Sequence, residues 1–422
     1  MRLIYWMHPL FFALLWASIA VLTFLTPREL YLLLMRSEKV YTLDHLLVTI
    51  LALLIFALFI LIGMSSVARS PTQNHDFHKK MTDIFANPLV LKACLAFFAL
   101  VSLAYIVWFG PTLNPSTLAG FFSGSLKARE VGNQVSGLTT MTQFGVGLSC
   151  IATYGALYSA NLNAKRIYRF IVISLFICAL YRSFLWSERL ALIETVVPIS
   201  IVLLAYYNRG QKLFLLMPVI GICVVVAYFG LAEYFRSWNF YKDQDIGMLY
   251  FATTRFLSYY LSSFNNLGMM IDNLEPTFEP LNSLRFLYKM PLPGFESLNQ
   301  KAAQVWVVYK EALAAYTNPE FNLFSGIGMV VSDFGIAGGL MVLTVHGFLS
   351  GRLYAMMVEG RLFGVFFYPV WMVGLMEFGR LLYWGNTRAF PAWLLLFTIV
   401  FIAKSVYVRT VQIQRARGST PL

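Results

Sequence analysis

Charge is scarce in this chain. Only 12% of its 422 residues are Asp, Glu, Lys or Arg, about half of the roughly 25% usual in a soluble domain. With 59% hydrophobic residues and a mean hydropathy of +0.67, that shortage excludes an ordinary water-soluble fold and points to lipid as the solvent. Cysteine is also sparse: Cys94, Cys150, Cys178 and Cys223 all sit inside apolar runs. No CxxC or Cys/His spacing is present, so neither a disulfide framework nor a metal site is expected. The five histidines add little. His75 and His78 adjoin Lys79 and Lys80 in a polar segment, and His346 lies near the far end of an apolar run. No Walker, Rossmann, GxSxG or HExxH pattern stands in a credible context, which leaves ATP-driven work without a motif. The net charge of +12 comes with no basic cluster interleaved with aromatics, so nucleic acid is not an expected partner. Cations gather in the cytoplasmic loops of polytopic membrane proteins in any case.

What the chain has in abundance is apolar runs. They fall near residues 4–25, 45–68, 88–109, 138–160, 167–186, 189–207, 213–233, 324–350, 361–379 and 391–408. Taking roughly 20 residues per crossing, these predict an all-α polytopic membrane protein of about ten helices (ten to twelve), in one domain over residues 1–422. The first run resembles a signal peptide, with Ser18-Ile19-Ala20 as a weak cleavage site, but its length suits an uncleaved first helix. Placing both termini in the cytoplasm puts about fourteen cations in short inner segments against about nine in outer ones. The acids divide more sharply, with only Asp76, Asp83 and Glu359 inside. The longest outer segment, residues 234–323 between the seventh and eighth helices, is predicted to be partly helical. GMLYFATTRFLSYYLSSFNNLGMMID is apolar and aromatic, and SLNQKAAQVWVVYKEALAAY has the pattern of an interfacial helix.

Arginines crowd this outer level. Arg182 and Arg189 flank Glu188 in YRSFLWSERLALIE, where the fifth and sixth helices turn back on each other. Arg129, Arg236, Arg255, Arg380 and Arg388 join them. Planar guanidiniums keep their charge and suit phosphate oxygens. The plainer fate of arginines at helix ends is snorkelling to headgroups, expected first for Arg28 and Arg388. Arg182 and Arg255 sit inside apolar sequence, where an ionisable group is functional by default. Arg182–Glu188 and Arg380–Glu377 are alternatively structural ion pairs. Among the acids, Glu188 is placed to take a proton from a sugar hydroxyl. Asp333, about two turns into the eighth helix among glycines, is either catalytic or one half of a buried structural pair.

The segment AREVGNQVSGLTT, the hairpin SERLALIE, the run TTRFLSYYLSSFNNL and the stretch NPEFNLFSGIGMVVSDFGIAGG, in this order along the chain, resemble bacterial oligosaccharide repeat-unit polymerases of the Wzy or O-antigen type. The resemblance covers residues 120–350, and its motifs are short and degenerate. It implies a GT-C-like, metal-independent membrane glycosyltransferase without a cofactor, in the bacterial inner membrane with residues 234–323 periplasmic. Such enzymes transfer a glycan en bloc from undecaprenyl diphosphate to a second lipid-linked repeat unit, alongside a chain-length regulator protein and the membrane lipids. By position the resemblance points to Arg129, Arg189 and Arg255 as catalytic, with Glu188 or Asp333 as the carboxylate. Arg182, Arg236 and Arg380 are expected to bind substrate, and Tyr259, Tyr260, Trp238 and Trp306 either to stack on sugars or to anchor at the membrane interface. The doubled RX10G pattern of the family is not met, since Gly268 follows Arg255 at the wrong spacing. An O-antigen ligase, favoured by a histidine in the long outer segment, and a lipid-linked oligosaccharide flippase, favoured by mid-bilayer charges, are the alternatives. Residues 234–323 contain no histidine.

Overall fold

The computed structural model describes residues 5–68, 73–122, 135, 137–186, 188–207, 216–233, 247–289 and 293–418. Every predicted run is helical, and no strand occurs among the described residues. The main helices are α1 (Pro9–Leu25), α2 (Arg28–Met35), α3 (Leu43–Ser65), α4 (Gln73–Ala86), α5 (Pro88–Phe109), α6 (Phe144–Tyr158), α7 (Leu162–Trp186) and α8 (Arg189–Tyr207). They continue with α9 (Met217–Glu233), α10 (Met248–Asn273), α11 (Arg285–Tyr288), α12 (Glu296–Tyr316), α13 (Ser325–Val358), α14 (Leu362–Glu377) and α15 (Ala389–Gly418).

Among the described residues, six helices are long and apolar enough to cross a membrane: α3, α5, α7, α8, α13 and the stretch Ala389–Val408 of α15. A seventh span forms if α1 and α2 are taken together across their 106° bend. Thr26 is extended there (ψ 120°) ahead of Pro27, as a residue before proline prefers. The chain is therefore a multi-pass, all-α membrane protein. The shorter apolar runs became helices of another kind. α6 has 15 residues and α14 has 16, about 22–24 Å of rise against a hydrocarbon core of about 30 Å. Nearly every residue of both is buried, so they form the centre of the bundle, where a helix apolar all round belongs.

Lipid supplies no hydrophobic drive between helices, so close packing holds the spans together. Along α3, Leu47, Leu51, Leu54 and Leu58 face outward while Ala52, Phe56, Ile60 and Gly63 are buried. The buried face meets α13 at backbone contact. A Cβ on Gly351 would overlap the carbonyl oxygen of Ile60, which is why the stretch GFLSG, Gly347 to Gly351, faces α3. Further up, α13 is broken at Gly335 (φ 69°, ψ 179°), a backbone region that glycine enters without strain. The carbonyl of Ser332, just before the break, accepts from the Thr277 N–H at 3.0 Å, so a segment from outside the bundle fills the gap.

Both predicted helical parts of residues 234–323 form, as α10 and α12, but α10 does more than lie over the bundle. From Leu261 to Met270 it is buried throughout. Asn265 Oδ1 accepts from the N–H groups of Val40 and Tyr41 at 2.8 and 3.1 Å, and Asn266 donates to the carbonyls of Phe321 and Leu323.

The bundle has two unlike ends. At one, Arg352 reaches Ser66, Arg361 reaches the Ala68 carbonyl and Lys80 lies over Tyr407. α1 starts near this end, with the Tyr368 hydroxyl donating to the Met7 carbonyl at 2.5 Å. At the other end, the final turns of α7, α9 and α14 meet the first turns of α8, α10 and α15.

Candidate functional site

Five guanidiniums are gathered at that second end, turned inward. Arg182, in the last turn of α7, donates to Glu188 Oε2 from Nε and Nη2 at 2.8 and 2.6 Å. Its remaining nitrogens meet Thr142 at 3.3 Å and, with the amide oxygen turned toward it, Gln143 at 2.6 and 3.1 Å. Arg388 makes a bidentate pair with Glu194 at 2.9 and 2.7 Å and also reaches Glu188 at 3.3 Å. One glutamate thus ties the α7–α8 hairpin to the start of α15.

The second half of the layer centres on Glu233, at the end of α9 and fully buried. Arg189 donates to it at 2.5 Å, and Arg255 Nε lies 3.6 Å from its other oxygen. Arg255 also holds Glu320, whose side chain is 47% exposed, at the rim. Arg380 pairs with Glu377 at 2.9 Å. Tyr259 joins the pieces, with its hydroxyl 3.3 Å from Arg189 and its ring beneath the guanidiniums of Arg189 (4.6 Å) and Arg380 (5.2 Å). Such cation–π contacts strengthen where water is excluded.

Each of these five arginines therefore has a glutamate, and among the described residues the five guanidiniums of the layer are balanced by five carboxylates. Burial alone would raise the Glu188 carboxyl, but Arg182 and Arg388 outweigh it and hold the group below the usual carboxylate range. A carboxylate so held is a weak base, and it fixes two guanidiniums in place. Burial likewise works against the Arg388 charge, and Glu194 more than restores it.

Open space adjoins the layer unevenly. Beside Arg182 and Glu194 there is a void of only about 10 Å³, room for one water at most. Beside Arg255 a cleft of about 440 Å³ opens between α2, the first turns of α10 and residues 318–321, with Arg36, Tyr250 and Glu320 on its walls. That volume lies within the range of small-molecule sites.

No protein-family model, curated protein or solved structure matches this chain.

Of the residues singled out from the sequence, Arg182, Glu188, Arg189, Arg255, Tyr259 and Arg380 come together in this layer. Tyr260 sits behind it, against Trp16 and 5.9 Å from Arg380. Arg129, Arg236 and Trp238 lie outside the described residues. Asp333 is elsewhere, at the break in α13. Its two oxygens accept from the Asn282 N–H and side chain and from the Ser283 N–H and hydroxyl, at 2.6–3.0 Å. These contacts make it the clamp that seats residues 277–284 on α13. Trp306 is also remote, on α12. The faces of the Tyr259 ring are taken up by guanidiniums rather than left open as a platform for sugar.

One expectation changes. Arg388, expected to reach for headgroups, is instead one of the hubs, because Glu194 is 1% exposed and needs a cation. Arg28 does point outward, paired with Glu38 at the surface. Sequence reasoning missed Glu194, Glu233, Glu320 and Gln143. A signal for Glu194 was present, since it is a lone acid inside an apolar run, the same feature that singled out Asp333.

Proposed function

We propose that the chain is a membrane glycosyltransferase that polymerises lipid-diphosphate-linked oligosaccharide repeat units, working at the end of the bundle that carries the arginine layer, on the non-cytoplasmic face of a bacterial inner membrane, with about ten helices in lipid. The observation that carries the reading is the Arg255 cleft. It is a substrate-sized opening lined by Arg255, one guanidinium of the five-arginine layer, together with Arg36 and the half-exposed Glu320. In this reading the acceptor hydroxyl attacks the anomeric carbon of the donor glycan. The bond from that carbon to the diphosphate oxygen breaks, and the leaving diphosphate takes the electron pair. Negative charge grows on that oxygen, and a fixed guanidinium in a site shielded from water stabilises it without reorganising. Arg255 is occupied by Glu320 at rest. A diphosphate competing for Arg255 releases Glu320, and that freed carboxylate accepts the hydroxyl proton. Arg189 and Glu233 hold Arg255 from behind, and the glutamate-matched arginines of the other half keep the hairpin rigid.

The reading is tested in the host. Deleting the gene and resolving the surface polysaccharide on a gel should leave acceptor capped by one repeat unit. Loss of even that unit supports a ligase or flippase instead. Complementation with Arg255→Lys, which keeps the charge but not the planar fork, should shorten or abolish polymer. Polymer of normal length from both Arg255→Lys and Glu320→Gln would refute the assignment of this cleft.

A further inference from the structure

A second pocket, of about 570 Å³, lies between residues 274–289, α12 and the break in α13. We propose that it holds the phosphate head of a membrane lipid between Arg285 and Lys289. The two cations are four residues apart, on one face of α11 and its C-cap. Both line the pocket. Among the described residues no carboxylate lies within ion-pair distance of either, in contrast to the arginine layer, where each cation is matched. Glu275 shares the lining without pairing to them, and Glu279 is bound to Lys301. The guanidinium of Arg285 lies 5.4 Å from the Trp306 ring, and Lys310 approaches the same ring at 5.8 Å. Two like charges held together in a partly desolvated pocket repel, and an anion between them removes that cost.

The rest of the pocket identifies which anion. Its walls are largely apolar, with Leu281, Val305, Tyr309 and Phe324 among them. Around it Phe278, Leu284, Val307 and Val308 are exposed by 39–74%, on segments too polar to cross the membrane. Exposed apolar side chains beside unpaired cations and a tryptophan are the features of an element resting on an anionic lipid surface. A sugar or free phosphate would leave the apolar walls without a partner. Of the polar groups nearby, Asn282 is bound to Asp333 and the Ser332 carbonyl to Thr277.

Binding is measured without turnover, so the inference does not rest on the transferase reading. Full-length protein in neutral detergent is titrated with dioctanoyl phosphatidylglycerol and, separately, dioctanoyl phosphatidylcholine, and bound lipid is counted by native mass spectrometry. The expected result is one phosphatidylglycerol bound in strong preference to phosphatidylcholine. Arg285→Gln/Lys289→Gln should weaken it at least tenfold, and Lys289→Arg should retain it. Farnesyl phosphate then tells the sources apart. Displacement at equal concentration makes an isoprenoid carrier the occupant, and failure to displace makes it bulk phospholipid. Both outcomes keep the phosphate head between these two cations. Equal binding of phosphatidylcholine, or unchanged affinity in a double variant that melts like the parent, would overturn the proposal. If the double variant does not fold, Lys289→Gln alone, at the more exposed of the two side chains, should lose affinity at least threefold, and no loss overturns it.

Discussion

Removing the Arg388 guanidinium, as in Arg388→Met, strands Glu194 inside the bundle. Glu194 is 1% exposed and Arg388 19% exposed, joined by two hydrogen bonds at 2.7 and 2.9 Å. Breaking a buried pair by deleting one partner costs about 3–5 kcal/mol, because the other charge remains desolvated. Glu188 also loses one of its two guanidiniums, so the upper part of that range is expected. The surface pair Arg28–Glu38 provides the control, with side chains 74% and 54% exposed. Arg28→Met should cost no more than about 1 kcal/mol. A second comparison separates stranded charge from lost packing. Arg388→Met/Glu194→Leu removes both charges and should recover stability to within about 1–2 kcal/mol of the parent, as replacing buried pairs with apolar residues often does. The assay is unfolding of the detergent-solubilised chain in increasing dodecyl sulfate, followed by tryptophan fluorescence. Equal destabilisation by Arg388→Met and Arg28→Met would refute the reasoning. So would a double variant less stable than the single one.

Gly351→Val places atoms where the Ile60 carbonyl already is, and should sharply reduce the yield of folded protein, whereas Gly110→Ala, with nothing within 4 Å of the new Cβ, should not. Asp333→Ala removes the acceptor for four donors from Asn282 and Ser283. Limited proteolysis should then cut within residues 277–284 at least tenfold faster, and an unchanged rate would show that the clamp holds nothing. The Lys289 amine is pushed down to about 8, first by partial burial and then by Arg285. Arg285 bears on it directly, Glu275 shares the pocket lining, and Glu279, Lys301 and Asp333 bear on the adjoining Tyr288. Because the unfolded chain keeps this proton up to about 10.4, folding releases it between those values, and stability from this group rises with pH across that window. The melting temperature should rise from pH 8 to pH 10 by an increment that Lys289→Gln abolishes, and phosphatidylglycerol affinity should fall over the same window.

The helices were legible because apolar runs longer than about 15 residues have few other outcomes in lipid. Their roles were less so. α6 and α14 read as spans like the others, and only their place at the centre, with neighbours on every side, shows why 15 and 16 residues are enough there. The arginines stood out because a charge inside an apolar run is costly wherever it lies. Their partners did not, since Arg388 and Glu194 are 194 residues apart and Arg255 and Glu320 are 65 apart. Pairings at such separation leave no periodic trace. Glu188 and Arg182, six residues apart, were visible for the opposite reason. The burial of α10 went unseen because its polar residues, Asn265 and Asn266, look like solvent-facing positions until the strand-like backbone at Val40 and the loop at Phe321 are brought against them.

Among the described residues, the charges of the arginine layer balance only once Arg388 has been made. Glu194 leaves the ribosome 194 residues ahead of Arg388, so this acid enters the bilayer while its counter-charge is still unmade, whereas Glu233 follows its partner Arg189. Until Arg388 and α15 arrive, Glu188 has Arg182 within the α7–α8 hairpin, but Glu194 lacks the cation it pairs with and must stay in contact with water. Closing the bundle is therefore a late event governed by the last helix. A chain truncated before residue 388 should remain an open, chaperone-bound set of helices rather than a smaller version of the same protein.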